Sequence, residues 1–280
     1  MMRKFWLIAA IALMLVGAVL FTVVMSVLGW DFTKLSTQTL KTKDHMPMGE
    51  FLNIRIQTAD ADVRILPSVD GLCHVVCSEQ EKAEHSVALS EGELVIRCVD
   101  TRQWYDYIGI NLSRPSVTVY VPEWFGGELT VQGGTGDVRV ENLWLEKMSL
   151  TLTTGDVTVT DTIVAGAATV HLTTGDVELE NLWCNMLVSS GSTGDVRMDK
   201  VDAAEIIRLE RTTGDIGMSL CDAMSLRLET TTGDVTGSLR SGKKFVTQST
   251  TGKVSVPADG SGGKCTITVT TGNIEIEVAQ

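Results

Sequence analysis

Thr135-Gly136-Asp137-Val138 is the first of eight closely related four-residue motifs in this sequence. Each motif begins with Thr-Gly, and successive motif glycines are 19 or 20 residues apart. A fixed period of this length is typical of solenoids, in which each repeat buries its apolar face by stacking on its neighbours. The later motifs are Thr154-Gly155-Asp156-Val157, Thr174-Gly175-Asp176-Val177, Thr193-Gly194-Asp195-Val196, Thr213-Gly214-Asp215-Ile216, Thr232-Gly233-Asp234-Val235, Thr251-Gly252-Lys253-Val254 and Thr271-Gly272-Asn273-Ile274.

Both flanks of each motif alternate between apolar and polar residues. Val157-Thr158-Val159-Thr160 follows one glycine, and Leu150-Thr151-Leu152 precedes it. Such period-two alternation predicts strands with one buried face. Each repeat is then two short strands, joined at the Gly-Asp corner and at a looser corner such as 164–167. The predicted fold is all-β: a parallel β-helix, or β-solenoid, of about eight coils of 19–20 residues.

The chain divides into four predicted segments. They are a transmembrane anchor (1–30), a polar spacer (31–49), a β-strand cap with a first degenerate coil (50–130) and the repeat solenoid (131–280). Ala61 stands in the place of the motif glycine in the degenerate coil. Terminal repeats are expected to be atypical, because they must cover the end of the core.

Residues 5–29 contain no charged side chain and form the predicted membrane partner. A helix of this length crosses a bilayer core of about 30 Å. A cleavable signal peptide is the rival interpretation, but its apolar region is only about 7–15 residues long. We expect a retained anchor with its N-terminus inside, which places the body outside the cytoplasm.

The formal net charge of −12 argues against nucleic acid as a partner, since phosphate binding needs a basic surface.

The acidic residue of the repeated motif is a weak candidate calcium ligand. Stacked carboxylates about 4.8 Å apart would place an ion within Ca²⁺–oxygen distance of both. Calcium prefers six to eight oxygens, however, so we favour a role for these carboxylates in accepting hydrogen bonds from turn amides. The residues in question are Asp137, Asp156, Asp176, Asp195, Asp215 and Asp234.

Two groups of aromatic residues are candidate contact sites. Trp144 and Trp183 each lie eight residues after a motif glycine, and Ile163 has the same phase between them. We expect this set to be core, whereas an exposed set would resemble a carbohydrate platform. The second group lies in a loop of the cap, where it would contact membrane or glycan, or cover the solenoid end. Its members are Trp104, Tyr105 and Tyr107.

The remaining polar and sulfur-containing residues suggest no site. Cys184, Cys221 and Cys265 are expected to be buried free thiols. One pair among Cys73, Cys77 and Cys98 is left open as a disulfide. The four histidines, at positions 45, 74, 85 and 171, show no metal-ligand spacing. Lys243 and Lys244 are expected to be a solvated corner.

The sequence resembles a bacterial β-strand-repeat family called "putative adhesin", domain of unknown function 4097. The resemblance rests on the degenerate Asp62-Val63 repeat, on the strand from Val117 to Pro122 and on the Thr-Gly-Asp-Val series, and it covers about residues 45–280. It implies a stacked β-solenoid, often tethered to a membrane, in bacterial envelopes. The family offers no general catalytic residues to transfer, and Lys253 and Asn273 depart from its motif.

The function predicted from the sequence is a non-catalytic, membrane-anchored structural, adhesion or binding module of the bacterial cell envelope. No cofactor is expected, and the partners would be an envelope glycan or a protein. Coil eight is expected to be an open end through which two chains associate weakly. One alternative function is a cytoplasm-facing β-helical scaffold that self-associates. A carbohydrate-active enzyme is the second alternative. Such chemistry needs carboxylates converging in a groove, whereas the charged residues here alternate outward.

Overall fold

The computed structural model describes residues 2–31, 40–104 and 114–279. One helix and 23 strands lie in these ranges. The elements up to the first Thr-Gly motif are α1 (Met2–Val27), β1 (Lys41–His45), β2 (Asn53–Thr58), β3 (Asp62–Pro67), β4 (His74–Glu79), β5 (Ala83–Ser90), β6 (Glu93–Asp100), β7 (Ser116–Val121) and β8 (Glu128–Thr135).

The repeats supply the remaining strands. We number the repeats one to eight by their motif glycines. These strands are β9 (Val138–Glu141), β10 (Trp144–Leu145), β11 (Lys147–Thr154), β12 (Val157–Thr160), β13 (Ile163–Thr174), β14 (Val177–Glu180), β15 (Trp183–Thr193), β16 (Val196–Asp199), β17 (Asp202–Thr213), β18 (Ile216–Thr232), β19 (Val235–Leu239), β20 (Lys244–Thr251), β21 (Val254–Ser255), β22 (Lys264–Thr271) and β23 (Ile274–Val278).

α1 is the N-terminal apolar helix expected from the sequence. Its segment Ala10–Val27 has a mean hydropathy of 2.6 and is long and apolar enough to cross a membrane. At about 1.5 Å per residue, the 26 residues of α1 extend over about 39 Å. The described part of the chain therefore includes one segment that could serve as a membrane anchor.

The strands of successive repeats pair in parallel, with equivalent residues in register. Val157, for example, pairs with Val138 on one side and Val177 on the other. Strands that follow the motif glycine lie in one sheet, and strands that precede it lie in a second sheet. The all-β prediction is confirmed, and the body of the molecule is β-solenoid-like. Period-two alternation explains the core, because the valines of this column are almost fully buried while Thr158 and its neighbours point outward.

In five repeats, the second corner is tighter than the predicted corner and lies earlier in the sequence of the repeat. A residue with left-handed backbone forms this corner in five repeats. Asn and Asp, which tolerate that conformation, occupy three of the five positions. The predicted corner at 164–167 is instead a β-bulge within β13. The corner residues, with φ of 48–54°, are Asn142, Asp161, Asn181, Lys200 and Leu220.

The last two repeats stack in reverse order, which contradicts the expectation that coil eight is the open end. β22 of repeat eight pairs with β18 of repeat six on one side and with β20 of repeat seven on the other. β23 lies between β19 and β21 in the same way. Repeat eight is therefore inserted between repeats six and seven, and repeat seven is the outermost of the described repeats.

Close backbone contacts explain how the chain makes this insertion. The connection 256–263 returns from repeat seven and passes the residues that link repeats six and seven. A Cβ on Gly263 would lie 1.6 Å from the carbonyl oxygen of Met224, and one on Gly262 would lie 2.2 Å from that of Gly242. Only glycine fits at these crossings, so the glycines of the connection permit the reversed order.

Lys243, at the same crossing, is buried rather than solvated. Its ammonium donates to the carbonyl oxygen of Ala223 at 2.7 Å and forms an ion pair with Asp222. The prediction of a solvated corner was wrong for Lys243 and held for Lys244, which is exposed. The reversed connection buries Lys243, and this burial cannot be predicted from the periodicity of the sequence.

The N-terminal end of the body shows a related arrangement. The degenerate repeat, β2 and β3, lies between the strands β6 and β7 on one side and repeat one on the other. β4 then adds antiparallel to β7, and β5 adds antiparallel to β6. β1 pairs with β4 and lies within the predicted polar spacer, so that segment is partly a strand.

Candidate binding surface

The motif aspartates form a continuous hydrogen-bonded ladder along one corner of the stack. The Oδ1 atom of each aspartate up to Asp215 accepts the backbone N–H of the equivalent residue in the next repeat at 2.8–3.0 Å. Asp62 of the degenerate repeat begins the ladder by accepting from Asp137. The expected role in accepting hydrogen bonds from turn amides is confirmed, and the amides belong to the neighbouring repeat. Calcium binding at this ladder stays a prediction.

The two variant motifs fit the reversed stacking order. Asp234 accepts from the N–H of Asn273, and the Oδ1 atom of Asn273 accepts from the N–H of Lys253. An asparagine oxygen serves this purpose as well as a carboxylate oxygen. Lys253 belongs to the outermost described repeat, so no further repeat needs an acceptor there. The variants therefore mark the end of the ladder.

Trp144, Ile163 and Trp183 form an exposed column, which we call the tryptophan column. They pair in register across three repeats, with exposures of 54%, 44% and 44%. The expectation that these residues are core was wrong. The left-handed corner residue just before them shifts the alternation by one, so that Leu143 and Leu145 point inward and Trp144 points outward.

The tryptophan column continues toward the N-terminal strands through further aromatic contacts. A Cβ on Gly126 would lie 2.4 Å from the indole of Trp144, so the ring lies directly on this glycine. Trp124, about half exposed, packs edge-on against Phe51 with ring centroids 5.2 Å apart. A neighbouring depression of about 540 Å³ is lined by Phe51, Trp124, Leu52 and acidic side chains.

Polar corner residues lie two positions before each member of the tryptophan column. They are Asn142, Asp161 and Asn181, and the side-chain amide of Asn181 donates to Asp161 at 2.9 Å. Flat indole faces beside amides and carboxylates combine apolar stacking with hydrogen bonding. The Glu-Asn-Leu-Trp sequence occurs twice and could have revealed that these tryptophans are exposed. Its Asn favours a left-handed corner, which shifts the apolar–polar alternation by one residue.

The aromatic group of the predicted cap loop is only partly described. Trp104 is 76% exposed. Tyr105 and Tyr107 lie outside the described residues. The predicted ligand-contact role of this group stays a prediction.

None of the six cysteines, all of which lie within the described residues, forms a disulfide. Cys184, Cys221 and Cys265 are buried, as expected. The disulfide left open among Cys73, Cys77 and Cys98 is not formed. Burial raises the pKa of the Cys184 and Cys265 thiols to about 12, which keeps them protonated and unreactive.

Comparison with known proteins gives one family match and several similar structures. Residues 51–258 match the family model described as Toastrack DUF4097. A Bacteroides fragilis "putative adhesin" is 16% identical, with a TM-score of 0.56 over 87% of this chain and 99% of that chain. A "putative lipid binding protein" from Parabacteroides distasonis is 12% identical, with a TM-score of 0.48 over 88% and 98% of the two chains. No curated protein matches this chain. At these identities, the likeness to the Bacteroides fragilis protein supports the fold alone.

Proposed function

This chain belongs to the Toastrack DUF4097 family, and from that premise we propose that it is a non-catalytic, membrane-anchored binding module of the bacterial cell envelope. In this proposal α1 is retained as the anchor and the β-solenoid-like body is a parallel β-helix of about eight coils that faces away from the cytoplasm. The exposed tryptophan column carries the proposal, because large apolar side chains in register on a rigid sheet are typical of recognition surfaces.

An envelope glycan is the partner that best suits the column's chemistry. Trp144 and Trp183 lie two repeats apart, or about 9.6 Å, so an extended polymer lying across the strands would meet both. Their indole faces can stack on the apolar faces of sugar rings, while Asn142, Asp161 and Asn181 offer hydrogen-bonding groups beside them. The inter-repeat hydrogen bonds hold this spacing fixed, which lowers the entropic cost of binding.

Co-sedimentation with insoluble cell-wall polysaccharide tests this function. The full-length chain in nanodiscs should sediment with the polysaccharide, and Trp144→Ala combined with Trp183→Ala should abolish this. Met224→Ala is the matched control, since Met224 is also a large exposed apolar residue of the second sheet. Equal sedimentation of wild type and double variant would contradict the proposal.

The orientation is tested separately by protease treatment of intact cells. A body outside the cytoplasm should be digested without lysis, whereas a cytoplasmic body should be digested only after lysis. Protection in intact cells would favour the cytoplasm-facing scaffold over an envelope module.

A further inference from the structure

A buried group of polar side chains joins the two antiparallel strands at the N-terminal end of the body. Cys77 and Glu79 lie two residues apart on β4 and share its inward face, and His85 lies on β5. The intervening turn is closed by a bridge between Gln80 and Ala83. β4 belongs to one sheet and β5 to the other, so this group, the cap cluster, spans both sheets.

The cap cluster brings three different metal-binding groups together. Cys77, Glu79 and His85 each place one donor atom within 4.8 Å of the other two, and all three residues are buried. Glu79 Oε2 accepts hydrogen bonds from the backbone N–H of His85 at 2.5 Å and from its ring Nδ1 at 3.2 Å. Thr58 Oγ1 lies 3.4 Å from the other ring nitrogen. No sequence motif indicates this group, because its members meet only across the turn.

The cluster already holds one cation, the ammonium of Lys43. Lys43 Nζ lies 2.9 Å from Glu79 Oε1 and 2.8 Å from Glu84 Oε2. Lys43 is partly exposed, and Glu84 lies nearer the solvent than Glu79. The ammonium can therefore stay paired with Glu84 while another cation neutralises Glu79.

The protonation states at neutral pH suit a metal ion that displaces one proton. Burial lowers the pKa of His85, against the opposing effect of Glu79, so the imidazole is neutral and has a lone pair for coordination. Burial alone would raise the pKa of Glu79, but Lys43 and the N–H groups of His85 outweigh it and keep the carboxyl ionised. Burial, with Glu79 adding to it, raises the pKa of Cys77 to about 12, so this thiol carries the proton that a metal would release.

We propose that the cap cluster is a site for a divalent transition-metal ion of the zinc class, bound by Cys77 Sγ, a carboxylate oxygen of Glu79 and a ring nitrogen of His85. Thiolate and imidazole donors favour zinc over calcium or magnesium. Binding deprotonates the thiol, forms the metal–sulfur bond and releases one H⁺ to solvent. Metal–ligand distances of about 2.0–2.3 Å require the donor atoms to close by roughly 1 Å, with water completing the tetrahedron. The ion would clamp β4 to β5, and hence one sheet to the other.

Cobalt titration of the reduced, untagged, full-length chain in nanodiscs tests the site. One equivalent of Co²⁺ should bind and produce a thiolate-to-cobalt charge-transfer absorption, which added Zn²⁺ should abolish. Cys77→Ser should lose the absorption, and His85→Asn should weaken binding by at least about tenfold. Cys265→Ser, which removes a buried thiol elsewhere, should bind like the wild type.

The cobalt affinity of the Lys43→Met variant distinguishes a metal site from a cluster that is only structural. Removal of the competing ammonium leaves Glu79 in need of a cation, so the variant should bind cobalt about tenfold more tightly than wild type. A purely structural cluster would show no such tightening. The proposal is overturned if the wild type gives no charge-transfer absorption at millimolar cobalt, if the absorption survives in Cys77→Ser, or if Lys43→Met binds no more tightly. Far-ultraviolet circular dichroism of each variant without metal establishes that it is folded.

Discussion

At the scale of single residues, the Gly-Asp pair has two different roles in repeats one to six. The glycine adopts a backbone conformation closed to other residues, and the aspartate connects its repeat to the next. Gly194 has φ of 124°, and a Cβ there would lie 2.0 Å from the carbonyl oxygen of Gly175. Conformation and space therefore both require glycine at this corner.

Gly194→Val should lower the free energy of unfolding by about 1–3 kcal/mol or more, because it combines a strained backbone with a steric clash. Urea unfolding followed by circular dichroism measures the change. Gly217→Ala is the control, since the nearest atom to a Cβ there is 3.9 Å away and its φ is ordinary. An unchanged unfolding midpoint for Gly194→Val would contradict the assigned corner.

The aspartate ladder predicts that two substitutions of the same aspartate change the free energy of unfolding by different amounts. Asp156 accepts the N–H of Asp176 through Oδ1, and an asparagine can do the same, as Asn273 does. Asp156→Asn should therefore be nearly neutral, whereas Asp156→Ala should cost about 0.5–1.5 kcal/mol. Urea midpoints of the two variants decide the matter, and equal losses would mean that the charge rather than the acceptor atom is what the ladder needs.

At the scale of structural elements, the N-terminal strands differ from the repeats in how they hold together. Repeats are joined by identical contacts repeated along the stack, whereas β4 and β5 are joined by the individual charged groups of the cap cluster. The buried carboxylate of Glu79 pairs there with the partly exposed ammonium of Lys43, and His85 donates a hydrogen bond to it. Loss of Lys43 would leave the buried charge of Glu79 without a cation.

The cap cluster predicts a loss of stability in mild acid. The pKa of His85 in the folded protein lies below its ordinary value of 6.5, so the unfolded chain takes up a proton before the folded one. The contribution of neutral His85 to the free energy of unfolding is therefore complete above about pH 6.5, and it is lost as the pH falls toward the pKa of the folded state. Glu79, whose pKa is also lowered, adds a further loss below its ordinary value of 4.5.

Urea midpoints measured between about pH 7.5 and 5.5 check this dependence. His85→Asn should flatten the decline, because asparagine keeps a donor for Glu79 without titrating. His171→Asn, which changes an exposed histidine, should decline like the wild type. A wild-type profile that is flat in this range would show that His85 is not the titrating group.

At the scale of the whole molecule, reversed stacking decides what lies at the C-terminal edge. Among the described residues, β20 pairs only with β22. Its inward positions are Phe245, Thr247 and Ser249, whereas the positions paired with them on β22 are Cys265, Ile267 and Val269. Asp259 accepts the N–H of Phe245, and Ser249 donates to the carbonyl oxygen of Gly272. A polar outermost repeat is what keeps a solenoid from extending into a neighbour.

The polar inward face of β20 suggests that Thr247 and Ser249 limit self-association through this strand. Thr247→Val combined with Ser249→Val would present an apolar inner face at an unpaired strand, and the variant should dimerise or form larger species. Sedimentation velocity of the full-length chain in nanodiscs at low and high salt measures this against wild type. Association of wild type and variant to the same extent would show that these hydroxyl-bearing residues do not protect the edge.

The sequence alone predicts the strands, the corners that carry glycine and the parallel, in-register pairing of repeats one to six. These features follow from local periodicity and from the backbone conformations open to each residue type. The order of repeats seven and eight depends instead on tertiary contacts, because β20 and β22 have similar alternation and either could pair with β18. Tertiary contacts also bring Cys77, Glu79 and His85 together, across a turn and two sheets. The exposure of Trp144, in contrast, follows from the left-handed backbone of Asn142, which shifts the local alternation by one residue.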